Sequence, residues 1–420
     1  MHNAHNPRNR TLLTPAAGRR HWRLLLAVLT LLALAVPDAD AAAGPLEHRR
    51  PMADPSVVKT GPRQYVAVAT GSRVARLVSP NGVRWRTLGP ALAYRPAWAR
   101  PGNTIWAADL VRVGPRWLLY FAAPVRGMGE TSRCIGVAVS RNATGRFRPV
   151  SRRPLVCPPA AHAPRAEDRI LDRRHARPTF PTIGAIDPSA FVDHGRVFLL
   201  YKTDGRPSSI RLLRLRVNGL HARGRSRPLL AARGVVENPV MVRHGRWLYL
   251  FMSAGDYSRC SYSTVWRRSR SILRWRGRPQ RTLLARQGTG LCGPGGADVV
   301  VDRSRVRLYF HAWACGGGVR PCADSLHAAR RVRALYGARL RFSRASVRVG
   351  SWIRPHAPHA KRHRVRRHRA GHHVKRHHVR RRHVRRHHVG RHPHRVRRHH
   401  AKRHPRARHH VVKHRRHRRR

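Results

Sequence analysis

Five carboxylates stand at the head of closely similar stretches. Asp54 opens DPSVVKTGPRQYVAV, Asp109 opens DLVRVGPRWLLYF, Asp187 opens DPSAFVDHGRVFLLY, Glu237 opens ENPVMVRHGRWLYLF and Asp298 opens DVVVDRSRVRLYF. The chain has only 17 acids against 89 lysines and arginines, so five acids in matching contexts stand out. Carboxylates gathered around one cavity repel one another, which raises the pKa of at least one and separates their roles. One protonated and one ionised carboxyl group are what cleavage of a glycosidic bond requires. The plain alternative is that Asp-Pro starts a turn, with the aspartate capping its own backbone. That account serves one Asp-Pro better than it serves five acids.

The elements that position these acids are legible as β-hairpins, each an acid, a strand, a tight turn and a second strand rich in aromatics. The five heads recur at intervals of 50 to 78 residues, the self-similarity of propeller blades. Short apolar runs at Tyr65–Ala69, Trp117–Ala122, Gly136–Ser140, Val197–Tyr201 and Trp247–Met252 are separated by Gly, Pro, Asn and Asp clusters, as strands and turns are. Ile135–Val139 and Ile210–Val217 supply outer strands, and the one helix candidate is a weak pattern near Ala166–Arg174. The fold expected for residues 44–352 is therefore an all-β, five-bladed propeller. Each innermost strand starts near one mouth of the channel, so the acids land on a ring around the axis.

The two ends differ in composition. Arg19, Arg20 and Arg23 precede an apolar run from Leu24 to Val36, and Ala39-Asp40-Ala41 offers a cleavage site. Residues 1–43 therefore read as a secretory signal peptide, the run being short for a membrane span. No later segment reaches transmembrane length. Export makes the six cysteines disulfide partners. Spacing favours Cys315 with Cys322, then Cys134 with Cys157 and Cys260 with Cys292, with roughly 15 connectivities open in principle.

Residues 353–420 carry 28 lysines and arginines, 20 histidines and no acid. So little apolar content builds no core, and the expectation is a disordered polycationic tail. With the formal charge of +72 it predicts attraction to anionic cell-wall polymers around a secreted protein. No aromatic residue interleaves the tail and no nucleic-acid-binding motif accompanies the charge, so sequence-specific nucleic-acid recognition is not expected.

ADPSVV (53–58), WAADLV (106–111), IDPSAFVDHGRVFLLY (186–201), VENPVMVRHGRWLYLF (236–251) and GPGGADVVVD (293–302), followed by His311, resemble glycoside hydrolase family 43. The resemblance spans about residues 50–315 and implies a five-bladed propeller acting on arabinans, arabinoxylans or xylosides. It implies Asp54 as general base, Asp187 as the residue that tunes and orients the acid, and Glu237 as general acid. In an inverting enzyme Asp54 and Glu237 stand about 6.5–9.5 Å apart. No cofactor is required. The family often carries GPGH where this chain has Gly293-Pro294-Gly295-Gly296, which weakens the expectation of an axial calcium and leaves His311 as the metal-ligand candidate. Trp106 is a candidate platform for a sugar face, Asp109 and Asp298 either bind sugar hydroxyls or satisfy backbone amides, and Trp98 and Phe180 are candidate pocket walls. The rival from another class is a non-catalytic propeller that binds a surface glycan and is anchored by its tail.

Overall fold

The computed structural model describes residues 42–125, 133–157, 184–204, 208–232, 234–318, 320–323, 331–343 and 346–355. The expected signal peptide (except Ala42 and Ala43), the helix candidate at 166–174, Phe180 and the expected tail beyond residue 355 lie outside them.

Within the described residues the chain is a five-bladed β-propeller whose blades are antiparallel, blades 2 and 3 being joined by one parallel pairing, Arg133 with Gly184. Blade 1 holds β1 (Ser56–Gly61), β2 (Gln64–Ala69), β3 (Ala75–Ser79) and β4 (Arg86–Leu88). Blade 2 holds β5 (Trp106–Val113), β6 (Arg116–Pro124), β7 (Arg133–Ser140) and β8 (Arg148–Pro149). Blade 3 holds β9 (Gly184–Asp193), β10 (Arg196–Asp204), β11 (Ser208–Arg214) and β12 (Arg227–Ala232). Blade 4 holds β13 (Val236–His244), β14 (Trp247–Ala254), β15 (Ser263–Ser269) and β16 (Arg281–Leu284). Blade 5 holds β17 (Cys292–Asp302), β18 (Arg305–Cys315), the short β19 (Arg320–Pro321), β20 (Val332–Phe342) and β21 (Val347–Trp352). The expected hairpins are the first two strands of each blade, and β7 and β11 are the expected outer strands. Among the described residues a helix-like hydrogen bond occurs at Arg286–Thr289, where the Gly290 amide donates to the Arg286 carbonyl, although Gln287 and Gly288 have non-helical backbone angles.

The innermost strands β1, β5, β9, β13 and β17 contact one another in a closed cycle. Period-2 alternation sends successive side chains to opposite faces, so every sheet is apolar on both. Val66 and Val68 of β2 face blade 2, whereas Tyr65, Ala67 and Ala69 face blade 5. Five cores result, one between each pair of neighbouring blades. The ring closes through the segment before blade 1: the amides of Leu46 and Met52 donate to the carbonyls of Leu335 and Arg333 at 2.7 Å.

The propeller reaches slightly beyond the expected 44–352. Ala43 is buried in the core between blades 4 and 5, and the Ala42 amide donates to the Thr289 carbonyl. At the far end Ile353 is buried and its amide donates to the Gly337 carbonyl. The disulfides pair as spacing favours, Cys134–Cys157, Cys260–Cys292 and Cys315–Cys322. The second ties the loop after β14 to the start of β17.

Candidate active site

At matching places every innermost strand has a residue in the left-handed region, Asp54 (φ 51°), Ala107 (43°), Asp187 (52°), Asn238 (48°) and Gly296 (57°), and blade 5 has a second at Gly293 (62°). Aspartate, asparagine and glycine tolerate this region best, which explains four of the five. In blades 2–5 the hairpin register shifts at the same place. The preceding residue pairs with the second strand as Trp106–Ala122, Ile186–Lys202, Glu237–Ser253 and Gly295–His311. The residue two places on pairs as Asp109–Tyr120, Ser189–Leu200, Val240–Phe251 and Asp298–Tyr309.

The five acids are therefore not equivalent, contrary to the repeat as it reads in sequence. Asp54 and Asp187 occupy the left-handed position, Glu237 precedes it by one, and Asp109 and Asp298 follow it by two. A one-residue offset reverses the face a side chain takes, so the acids divide into groups with different partners.

Asp109 and Asp298 join blades. Asp109 accepts the Ser56 hydroxyl of blade 1 at 3.0 Å and the Ala190 amide of blade 3 at 2.9 Å. Asp298 accepts the Val57 amide of blade 1 at 2.6 Å and the Val299 amide at 2.7 Å. Each oxygen of both residues accepts a protein donor. Asp187 likewise accepts the Asn238 amide of blade 4 at 3.0 Å, and Ser253 of blade 4 accepts the Gly296 amide of blade 5 at 2.8 Å. A side-chain hydrogen bond thus crosses each of the five junctions. Burial pushes Asp109 up to about 7, with the Asp298 charge adding to it, and burial pushes Asp298 up to about 6.

Asp54, Asp187 and Glu237 converge. The Asp54 carboxylate accepts the Thr70 hydroxyl at 3.1 Å and has the Arg333 guanidinium 3.4 Å away. Glu237 accepts the Lys202 ammonium on Oε2 and the Tyr262 hydroxyl on Oε1, both at 2.8 Å. The Tyr262 ring stacks on His311 with centroids 6.0 Å apart, and Nδ1 of His311 accepts the Asp54 amide at 3.1 Å. A continuous path of contacts therefore links Asp54 to Glu237. Asp187, buried, is held well above the ordinary carboxylate range by desolvation, then by the Glu237 charge; Lys202 opposes the shift and Asp54 adds to it. Burial holds the Tyr262 hydroxyl protonated, with Glu237 and Asp54 acting in the same direction.

An axial pocket of about 30 Å³ is lined from all five blade entrances, including Asp54, Asp109, Asp187, Asn238 and Asp298. Its residues do not fit the axial calcium. Calcium takes six to eight oxygen ligands, and no group of three or more His, Cys, Asp or Glu among the described residues is arranged to hold a metal. His311 offers no lone pair on Nδ1, and its Nε2 is buried with no hydrogen-bond partner among the described residues. Its Nδ1 accepts a backbone amide, so the neutral ring carries its proton on Nε2. Burial and then Arg333 hold its pKa down to about 3, against Asp54, which keeps the ring neutral. A Cβ at Gly296 would lie 2.5 Å from the His311 ring and 3.0 Å from Asp54 Oδ1, so the GPGG variant makes room for His311.

Trp106 lies one residue before the left-handed position of blade 2, but the Arg133 guanidinium covers one face at 3.1 Å from the ring centroid, and the indole N–H donates to Thr104. At most one face remains for a sugar. Trp98 is buried and stacks on Phe121 in the core between blades 1 and 2, not against the carboxylates. Lys202, Tyr262 and Arg333 escaped the sequence reading. Lys202 alone left a signal: before residue 353 the chain has two lysines, Lys59 and Lys202, among its many arginines.

Among solved structures the chain is similar to a thermostable family-43 glycoside hydrolase, at 20% identity and TM-score 0.56, covering 73% of this chain and 95% of that one. It is similar to an exo-1,5-α-L-arabinanase from a bovine ruminal metagenomic library, at 17% identity and TM-score 0.53, covering 71% and 96%. It is also similar to the α-L-arabinanase of Cellvibrio cellulosa complexed with arabinohexaose, at 18% identity and TM-score 0.52, covering 71% and 95%. At these identities the likeness establishes the fold. The model of glycosyl hydrolases family 43 matches residues 49–160 and 172–329, well over half the chain and all five blade entrances. The chain belongs to glycosyl hydrolases family 43 and is a glycoside hydrolase.

Proposed function

We propose that the protein is an exported, inverting hydrolase of arabinofuranosyl or xylosyl linkages in polysaccharides. Asp54 is the general base that activates water, Glu237 the general acid that protonates the leaving oxygen, and Asp187 the residue that tunes and orients the acid. The observation that carries the reading is geometric: contacts run from the Asp54 amide through His311 and Tyr262 to the Glu237 carboxylate, and buried Asp187 lies close enough to sense both charges. In the proposed reaction water attacks the anomeric carbon from the Asp54 side, Asp54 takes the proton, and the glycosidic oxygen leaves with a proton from Glu237. Thr70 and Arg333 orient the base, while Lys202 and Tyr262 orient the acid.

The decisive experiment is hydrolysis of aryl α-L-arabinofuranoside and aryl β-D-xyloside by the wild type and Glu237→Gln. Loss of the general acid lowers the rate about 10²–10⁴-fold, less with a good leaving group. No hydrolysis of either substrate, or hydrolysis indifferent to the substitution, overturns the assignment.

Export and the tail belong to the same proposal. The leader, the cysteine pairs and the polycationic residues 353–420 support salt-sensitive retention on anionic wall polymers, tightening below about pH 6.5 as histidines charge. Deletion of residues 353–420 then releases the enzyme from wall material at low salt; unchanged retention refutes the tail's role.

A further inference from the structure

One buried cation sits inside the carboxylate cluster. Lys202 is 5% exposed, on the second strand of blade 3, in register with the residue before Asp187. Its ammonium lies 2.8 Å from Glu237 Oε2 and 3.5 Å from Asp204 Oδ1. Burying an ammonium is costly unless it is paired, and here it faces Glu237, Asp187 and Asp204 together. Lys59, the other lysine before the tail, pairs with Asp302 at the rim of the propeller and is far more open. A lysine inside the cluster, in a chain that otherwise uses arginine, fits a place for a compact point charge rather than a broad planar fork.

The other charged groups around this pair are few. Asp187 enters from β9 and Asp54 from the start of blade 1, while Tyr262 donates to the free oxygen of Glu237. Arg133 of blade 2 acts on Asp204 from the far side, and Arg333 stands by Asp54. Among the described residues Lys202 is the one ammonium or guanidinium paired with Glu237 itself. With Lys202 on one oxygen and the Tyr262 hydroxyl on the other, both oxygens of Glu237 act as acceptors. A proton arriving at Oε2 competes directly with the ammonium.

We infer that Lys202 is a positioning residue for the acid of the proposed reaction: it holds the Glu237 carboxyl in place and, by competing with the proton for Oε2, sets the upper pH limit of hydrolysis. This rests on the assignment of Glu237 as general acid.

The test is the pH profile of kcat/KM for Lys202→Met and Lys202→Arg on whichever aryl glycoside the wild type hydrolyses. An opposite charge at this range moves a carboxyl titration by about one unit or more. Lys202→Met should therefore carry the alkaline limb upward by about one pH unit and lower the rate at the optimum about ten-fold, through a less fixed carboxyl. Lys202→Arg should keep the limb within about half that shift of the wild type. A lowered rate with an unmoved limb in Lys202→Met overturns the inference, because loss of packing alone does that.

A thermal-unfolding cycle of Lys202→Met, Glu237→Gln and the double variant reads the pairing without activity. The melting temperature lost in Lys202→Met should largely return in the double variant, where no buried carboxylate is left without its cation. Additive losses overturn the pairing. If Lys202→Met does not fold while the double variant does, the pairing is supported; if neither folds, it is overturned. If the wild type hydrolyses neither glycoside, the functional assignment fails while the cycle still decides whether Lys202 holds Glu237.

Discussion

The backbone amide of Asp54 donates to Nδ1 of His311 at 3.1 Å across 257 residues of chain. The bond ties the entrance of blade 1 to the second strand of blade 5, so the proposed base is held by the last blade of the ring. It also sets the tautomer of a buried imidazole whose pKa is held down to about 3.

His311→Phe removes that acceptor while keeping an aromatic ring against Tyr262. The orphaned amide costs about 1–3 kcal/mol, and kcat/KM on aryl glycosides falls roughly ten-fold or more. In the wild type, no activity limb between about pH 5 and 8 belongs to this histidine, because it is already neutral there. A limb in that range that disappears in His311→Phe contradicts the assigned tautomer.

Tyr262→Phe deletes one of the two donors on Glu237 and leaves the stack on His311 in place. A hydrogen bond to a charged group is worth about 1.5–3 kcal/mol, so kcat/KM falls about 10- to 100-fold with little change in melting temperature. The check is steady-state kinetics beside a melting curve. A rate within two-fold of wild type removes Tyr262 from the acid's support.

Gly296→Ala meets two obstacles together. The left-handed backbone costs an L-residue about 1–2 kcal/mol, and the new Cβ would lie 2.5 Å from the His311 ring. Urea unfolding should show a loss at or above that range, and activity should fall through displacement of His311. Restoring histidine in the GPGH manner requires a different rotamer of His311, so Gly296→His should be worse than alanine.

The buried blade-joining acids predict a stability that changes with pH. Asp109 and Asp298 titrate near 7 and near 6 in the folded protein and near 4 when unfolded, so the folded state binds more protons between those values. Their contribution is fully present below about pH 4 and lost as pH rises through the folded values, a change on the order of a few kcal/mol. The melting temperature should rise on acidification from about pH 8 to pH 5, and the rise should flatten in Asp109→Asn. A curve that is flat in the wild type contradicts these titrations.

The Cys260–Cys292 bridge, 32 residues apart, anchors the loop that carries Tyr262 to the strand that carries Gly296. Replacing both cysteines with serine should cost about 2–4 kcal/mol by chain entropy. It should also lower kcat/KM more than the equivalent change at Cys134 and Cys157, whose bridge lies within blade 2. Equal kinetic losses from the two double variants contradict a specific hold on Tyr262.

The propeller was legible because its signal is local and repeated. Alternation such as Tyr65 to Ala69 feeding two opposite cores, a tight turn (with glycine in four of the five) and a returning aromatic strand appear in five copies, each decided by residues within about 20 positions of one another. The acids were legible as a set for the same reason. Their register was not, since Asp-Pro at 187 and Glu-Asn-Pro at 237 look alike in sequence, while the left-handed residue at each entrance offsets Glu237 from Asp187 by one place and so turns it toward different partners. Lys202, Tyr262 and His311 come from strands and loops that no local pattern relates to the acids they touch. Sequence by itself determined the blade, its repeat and the identity of the acids, which depend on period and residue type. Only the closed ring decided which acids join blades and which meet at the site, because those assignments depend on contacts that span up to 257 residues and on burial that no single blade creates alone.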